Sequence, residues 1–223
     1  MAYFDENFNR FFRGLEKNND KTWFDKNKAN YEKSVKLPFE HLVADLILKM
    51  QKLHPGFHCD VKSAVFRIYR DIRFSADKTP YKTHVSAAIV HGGKKNFVDP
   101  GLYFEMGAKG IGIYGGVYMP EKEQLYNIRA YIASHAAEVK KLKADKKFNS
   151  VYGGIQGEVN KVIPGEFKEA FAAEPLIAHK QFYFMARFDD PKLVTSDKLL
   201  DFIMDKYKIG LPWANFFSNA LKQ

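Results

Sequence analysis

Apolar residues over positions 1–55 recur every three or four places, and from residue 64 the repeat shortens to two. The early repeat predicts helices. Asp5 is placed to cap one carrying Phe8, Phe11, Phe12 and Leu15, and Asp20 a second with Trp23, Phe24, Asn27 and Tyr31 along one side. Pro38 suits the first turn of a third, whose stripe of Phe39, Leu42, Val43, Leu46, Ile47 and Met50 stops at His54-Pro55-Gly56. The shorter repeat predicts strands over 64–74, 85–90, 102–106 and 110–118, divided by a loop at 75–83 and by GGKKN and GAK turns. Such short connections favour antiparallel pairing, because a parallel crossover needs about a dozen residues or more.

Beyond Pro120 a helix carries Leu125, Ile128, Ile132 and Val139, followed by the glycine-rich VYGGIQGEV. A strand at 181–188 and a helix over 196–207 come next, and Gly210 and Pro212 are expected to break the chain before a last short helix. Helices, then strands, then helices imply an α+β fold: N-terminal helices, a central mainly antiparallel sheet, and C-terminal helices. The length suits a single domain over 1–223, with a helical part at 1–55, a sheet part at 60–120 and a mixed helical part at 120–223 holding one further strand.

Composition sharpens this picture. Apolar content of 46%, with 20 Phe and 12 Tyr, excludes a disordered chain and implies a bulky aromatic core. Lys and Arg exceed Asp and Glu by 35 to 26, a net +9 that tilts partners toward anions. Cys59 is the one cysteine, so no intramolecular disulfide forms. The start MAYFDENFNRFF lacks an apolar core followed by a small-residue cleavage site, and no later run is apolar enough to span a bilayer; a cytoplasmic protein away from the membrane is expected.

The chemistry concentrates in FRIYRDIRFSADKTPYKTH, residues 66–84. On a strand, Phe66, Ile68, Arg70, Ile72 and Phe74 share one face, and Arg67, Tyr69, Asp71 and Arg73 the other. A guanidinium on an apolar face demands an anionic partner. Arg67, Arg70, Arg73, Lys78 and Lys82 outnumber Asp71 and Asp77, and planar guanidinium forks suit phosphate or carboxylate oxygens. Asp71 lies two residues from Arg73 and either orients it or serves as a general base, while Tyr81, after the rigid Thr79-Pro80 step, is a candidate hydrogen-bond donor. The alternative is an internal network, in which Arg70 meets a carboxylate such as Glu105 and Asp71 and Asp77 pair the other cations.

RIYRDIRFSADKTPY resembles the signature RxxRDxRFxxxKxxY of a widespread bacterial family, domain of unknown function 2461. Arg67, Arg70, Asp71, Arg73, Phe74, Lys78 and Tyr81 fill its specified positions, and the resemblance extends to NNDKTWFDKNKANYE and to the PW-FF ending at 212–217. It implies a cytoplasmic bacterial protein of this length and assigns no catalytic residue, cofactor or substrate. Three classes of function follow: binding of a phosphate-bearing or other anionic small molecule, with Asp71 as base if the protein is an enzyme; a nucleic-acid-binding module; or a structural or interaction protein whose motif is an internal ion-pair network.

Other motifs are weaker. GIGIYG at 110–115 matches GxGxxG but reads as a strand rather than a turn opening a helix, and GGKKN at 92–96 reads as a hairpin turn. His54, His58, Cys59 and Asp60 are ligand types without a second ligand pair, and His84 and His91 are seven apart, on opposite strand faces; no metal site is predicted. The basic run at 138–147 reads as a solvated helix face. The doublets Phe11-Phe12, Trp23-Phe24 and Phe216-Phe217, with Phe182-Tyr183-Phe184, read as core, and aromatic rings exposed beside the arginines are what base stacking would require.

Overall fold

The computed structural model describes residues 1–93 and 101–223. Three helices open the chain: α1 (Glu6–Lys17), α2 (Lys21–Tyr31) and α3 (Leu37–Leu53). Asp5 and Asp20 cap the first two as their positions predict, accepting from the N–H groups of Asn7 and Trp23. A π-helical turn, Glu32–Lys36, joins α2 to α3, so Pro38 lies inside a continuous helical path. The wider turn just before Pro38 accommodates a residue with no N–H to donate and a ring that crowds the preceding turn.

A single turn, α4 (Val61–Ala64), precedes the sheet strands β1 (His84–Ile89), β2 (Leu102–Gly107) and β3 (Gly110–Val117). The C-terminal half adds α5 (Lys122–Ser134), α6 (Ala136–Lys143), α7 (Lys146–Tyr152), α8 (Lys168–Ala173), β4 (Phe182–Phe188), α9 (Pro191–Val194) and α10 (Leu199–Ala220). The strands form one antiparallel sheet in the order β1-β2-β3-β4, and the fold is α+β. No helix among the described residues is long and apolar enough to cross a membrane.

Three expectations are corrected. Residues 64–74 form no regular strand: only Val65 and Tyr69 make isolated bridges, to Ala87 and Tyr81, because residue 64 ends α4 and the chain beyond Arg70 is held by side chains. The helix after Pro120 is two helices, α5 and α6, parted at His135. Gly210 and Pro212 do not break α10. Trp213, Phe216 and Phe217 are buried on it, and an added Cβ at Gly210 would meet the Phe184 ring at 2.4 Å, so packing overrides propensity there. Of the GGKKN turn, Lys94 to Asn96 lie outside the described residues.

The chain forms two compact units. The first comprises Met1–Lys95, Tyr103–Ile113 and Arg187–Met204. Its core is the helical stripe Phe8, Phe11, Phe12, Leu15 with Phe24 and Tyr31, and Phe39 of α3 lies 5.5 Å from Phe104 of β2. The second comprises Asn96–Leu102, Tyr114–Ala186 and Asp205–Gln223. It is built around Phe148, Tyr152, Phe182, Phe184, Trp213, Phe216 and Phe217. Arg129 is buried there without a carboxylate, donating to the carbonyls of Ile177 at 2.9 Å and His179 at 3.2 Å. Those two bonds satisfy backbone oxygens that α5 would otherwise leave dry.

Candidate functional site

The arginine segment folds back on residues 80–86 as a hairpin. Phe66 N–H donates to Ser86 O at 3.0 Å, Lys82 N–H to Ile68 O at 2.8 Å, and Arg70 N–H to Pro80 O at 2.9 Å. This pairing keeps the period of two through residue 73. Ile68 is buried and Phe66, Arg70 and Ile72 are half-buried, whereas Arg67, Tyr69, Asp71 and Arg73 are exposed. The far strand is pinned to α2. Asn19 donates to Tyr81 O at 2.9 Å and accepts from Tyr81 N–H at 3.0 Å, and the Tyr81 ring stacks on Phe24 at 4.1 Å and 12°.

Arg70 is answered from within its own loop. Its guanidinium reaches Asp77 Oδ2 at 2.5 Å, Thr79 O at 3.2 Å, Ser75 Oγ at 3.4 Å and the hydroxyl of Thr79. Asp77 also accepts from Thr79 N–H at 2.9 Å, and Lys78 Nζ donates to Ile72 O at 3.0 Å. Glu105, the carboxylate that the internal-network alternative offered Arg70, instead accepts from Arg187 at 3.0 Å and Tyr103 at 3.4 Å, with His84 Nε2 at 3.7 Å.

Arg73 differs from Arg70 in setting. It makes a two-pronged pair with Asp71, Nε to Oδ1 at 2.9 Å and Nη2 to Oδ2 at 2.7 Å, yet its side chain stays 75% exposed against 26% for Arg70. Hydrogen bonds from Arg73 hold the Asp71 carboxyl down at about 2. The N–H of Thr79, followed by Arg70, does the same for Asp77, also to about 2. A carboxylate so acidic is a weak base at neutral pH, which suits Asp71 to orienting Arg73 rather than to taking protons.

The structure thus sorts the sequence candidates rather than converging them. Arg70 and Lys78 close the loop, and Tyr81 is buried on Phe24, which raises its hydroxyl pKa. Lys82 lies half-buried with its ammonium 5.1 Å from the Phe66 ring centre. Arg67 and Arg73 face outward, and two aromatic rings join them: Tyr69 is 51% exposed and Phe74 95%, with the Arg73 guanidinium 5.7 Å from the Phe74 ring. Sequence reading placed Phe74 on the inner face and assigned Tyr69 no role; the alternation alone puts Tyr69 outside, but the turn beyond Ile72 that frees Phe74 is a side-chain effect.

The His84–Glu105–Arg187 cluster also went unread. It joins β1, β2 and β4 through the polar side of β2, where Tyr103 and Glu105 alternate with buried Leu102, Phe104 and Met106. Burial pushes the His84 imidazole toward its neutral form. Of the ligand-type residues near α4, His58 N–H donates to His91 Nδ1 at 3.3 Å. Among the described residues no group of three or more His, Cys, Asp or Glu side chains is arranged to hold a metal ion.

The profile of the family described as conserved hypothetical protein (DUF2461) matches residues 7–216. The chain belongs to this family. The DUF2461 match covers both units and includes the hairpin, so Arg67 to Tyr81 lies within the family region. No curated protein and no solved structure matches the chain.

Proposed function

We propose that this protein binds a phosphate-bearing ligand on the outer face of the 66–82 hairpin, and that the ligand is a single nucleic-acid strand. The observation that carries this reading is the exposure of Arg67, Tyr69, Arg73 and Phe74 on a loop whose interior is held by Arg70, Asp77 and Lys78. Guanidinium groups meet phosphates, and exposed rings stack on unpaired bases regardless of sequence. An exposed face suits an extended polyanion better than a small molecule, which binds where most of its surface is enclosed. A protein-wide charge of +9 favours the encounter.

Fluorescence anisotropy with a labelled single strand, its duplex and inorganic phosphate tests this. The single strand should bind best, with log affinity falling by about 0.7 per neutralised phosphate for each unit of log salt. Absence of binding at low salt, or unchanged binding by an Arg67→Ala/Arg73→Ala variant, would overturn it.

The Asp71–Arg73 pair favours a second reading, in which the whole motif is a network that holds the hairpin together. That reading requires Arg73→Ala to weaken folding as much as Arg70→Ala. The two arginines differ in exposure and in number of partners, which favours a division of labour instead.

A further inference from the structure

The polar side of β2 gathers ionisable groups that the hairpin reading does not use, all within the first unit. Tyr103 and Glu105 stand two apart on that strand and so share its face. His84, which opens β1, and Arg187, near the end of β4, both come to Glu105. Arg187 Nη1 donates to Oε1 at 3.0 Å, while His84 Nε2 lies 3.7 Å from Oε2, just beyond bonding reach. Tyr103 donates to Oε2 at 3.4 Å. The carboxylate therefore holds a guanidinium at one oxygen and an imidazole beside the other.

Exposure separates the carboxylate from the groups it aligns. The Glu105 side chain is 18% exposed, against 34% for His84 and 51% for Arg187. A solute arriving at this face meets the two nitrogen-bearing groups before the carboxylate. Both keep donors to offer. Arg187 spends only Nη1 on Glu105, so its Nε and Nη2 make no hydrogen bond among the described residues. Neither ring nitrogen of His84 makes a hydrogen bond among the described residues, and neither is sealed from solvent. A planar fork with N–H groups to spare, beside an imidazole, suits a tetrahedral oxyanion whose oxygens accept from both.

The surrounding charges set how many negative charges the ligand carries. Burial favours the neutral imidazole; among the described residues Glu105 favours the imidazolium, while Lys82 ahead of β1 and Arg187 of β4 oppose it. Lys82 belongs to the same patch, with its ammonium 5.1 Å from the Phe66 ring centre and that ring 6.0 Å from Tyr103. An anion with two charges offsets both cations and makes protonation of His84 favourable. A neutral ligand does neither.

We propose that Arg187 and His84, aligned by Glu105, form a binding site for a phosphate-type dianion. Occupancy then draws a proton onto His84, because an adjacent anion favours the imidazolium. Sulfate is the probe: it stays doubly charged throughout the titration of an imidazole, so any proton taken up belongs to the protein. The readout is the pH titration of the His84 ring C–H resonance, identified by its loss in His84→Gln, in sulfate against chloride at equal ionic strength. Sulfate should raise the His84 midpoint by about one pH unit, which corresponds to about tenfold tighter binding by the imidazolium form, and leave the other histidines where chloride leaves them. Arg187→Gln should abolish the rise while His84 still titrates. Phenyl phosphate and a 5′-phosphorylated oligonucleotide, the latter beside its 5′-hydroxyl form, are then competed against sulfate to tell a small phosphomonoester from a strand end. Displacement by either phosphorylated competitor supports the site, and displacement by neither counts against it. Equal midpoints in sulfate and chloride, a rise shared by all histidines, or a rise that survives Arg187→Gln would each overturn the proposal.

Discussion

Every charged side chain in the loop over residues 70–79 has a partner within hydrogen-bonding reach, whereas the buried Trp213 Nε1 and His179 Nδ1 of the second unit have none. The loop is polar and solvated, so its bonds form between residues two to nine apart in sequence and each adds little beyond ordering the turn. The Trp213 indole nitrogen is buried, and an unmade bond there is expensive because neither water nor protein replaces it. The contrast teaches where to look for a ligand: at side chains that the ordered loop leaves facing outward, rather than at nitrogens sealed inside the core.

Replacement of Trp213 should have the largest effect. Trp213→Ala should lower unfolding free energy by about 3–5 kcal/mol in urea melts, through lost burial and the void that remains. Trp213→Phe should cost far less, since the N–H it removes has no partner in the folded chain. Similar losses for both would erase the difference drawn between the regions. In the loop, Arg70→Ala should cost about 1.5–3 kcal/mol, the range for hydrogen bonds to charged groups, by the same melts. Arg73→Ala should cost no more than about 1 kcal/mol, because its pair with Asp71 is solvated.

Acid should produce the smallest effect. Asp71 and Asp77 sit at about 2 in the folded chain against an ordinary 3.8, so the unfolded chain takes up these protons first as pH falls. Their contribution is complete above about pH 4 and is lost as pH falls through about 2. Exchange of the Thr79 amide, which donates to Asp77, should accelerate relative to core amides across that window. Unchanged relative protection down to pH 2 would mean the carboxylates do not order the loop.

The fold was legible where local chemistry and burial agree. Asp5 and Asp20 cap helices because each stands just before an apolar stripe, and the alternation at 102–106 gives a strand, β2, with one buried face, whereas β1 and the first half of β3 are buried residue after residue. It misled where tertiary contacts decide. Gly210 reads as a breaker until Phe184 is seen to need the space, and residues 71–74 read as strand until Arg70, Asp77 and Lys78 close the loop. The motif residues were all visible in sequence, and the period of two divided them into inner and outer faces as far as Arg73; the exposure of Phe74 was not visible, because it depends on that closure. A cavity in the second unit lined by Lys143, His179 and Trp213 was invisible, since those residues share no sequence pattern.

The most direct test crosses two variants with two readouts: melting and single-strand binding for Arg70→Ala and Arg73→Ala beside wild type. The account predicts that Arg70→Ala loses stability, and that Arg73→Ala melts like wild type but binds the strand about tenfold more weakly. Equal destabilisation by both, with strand binding unaltered in Arg73→Ala, would contradict it and make the motif an internal network alone.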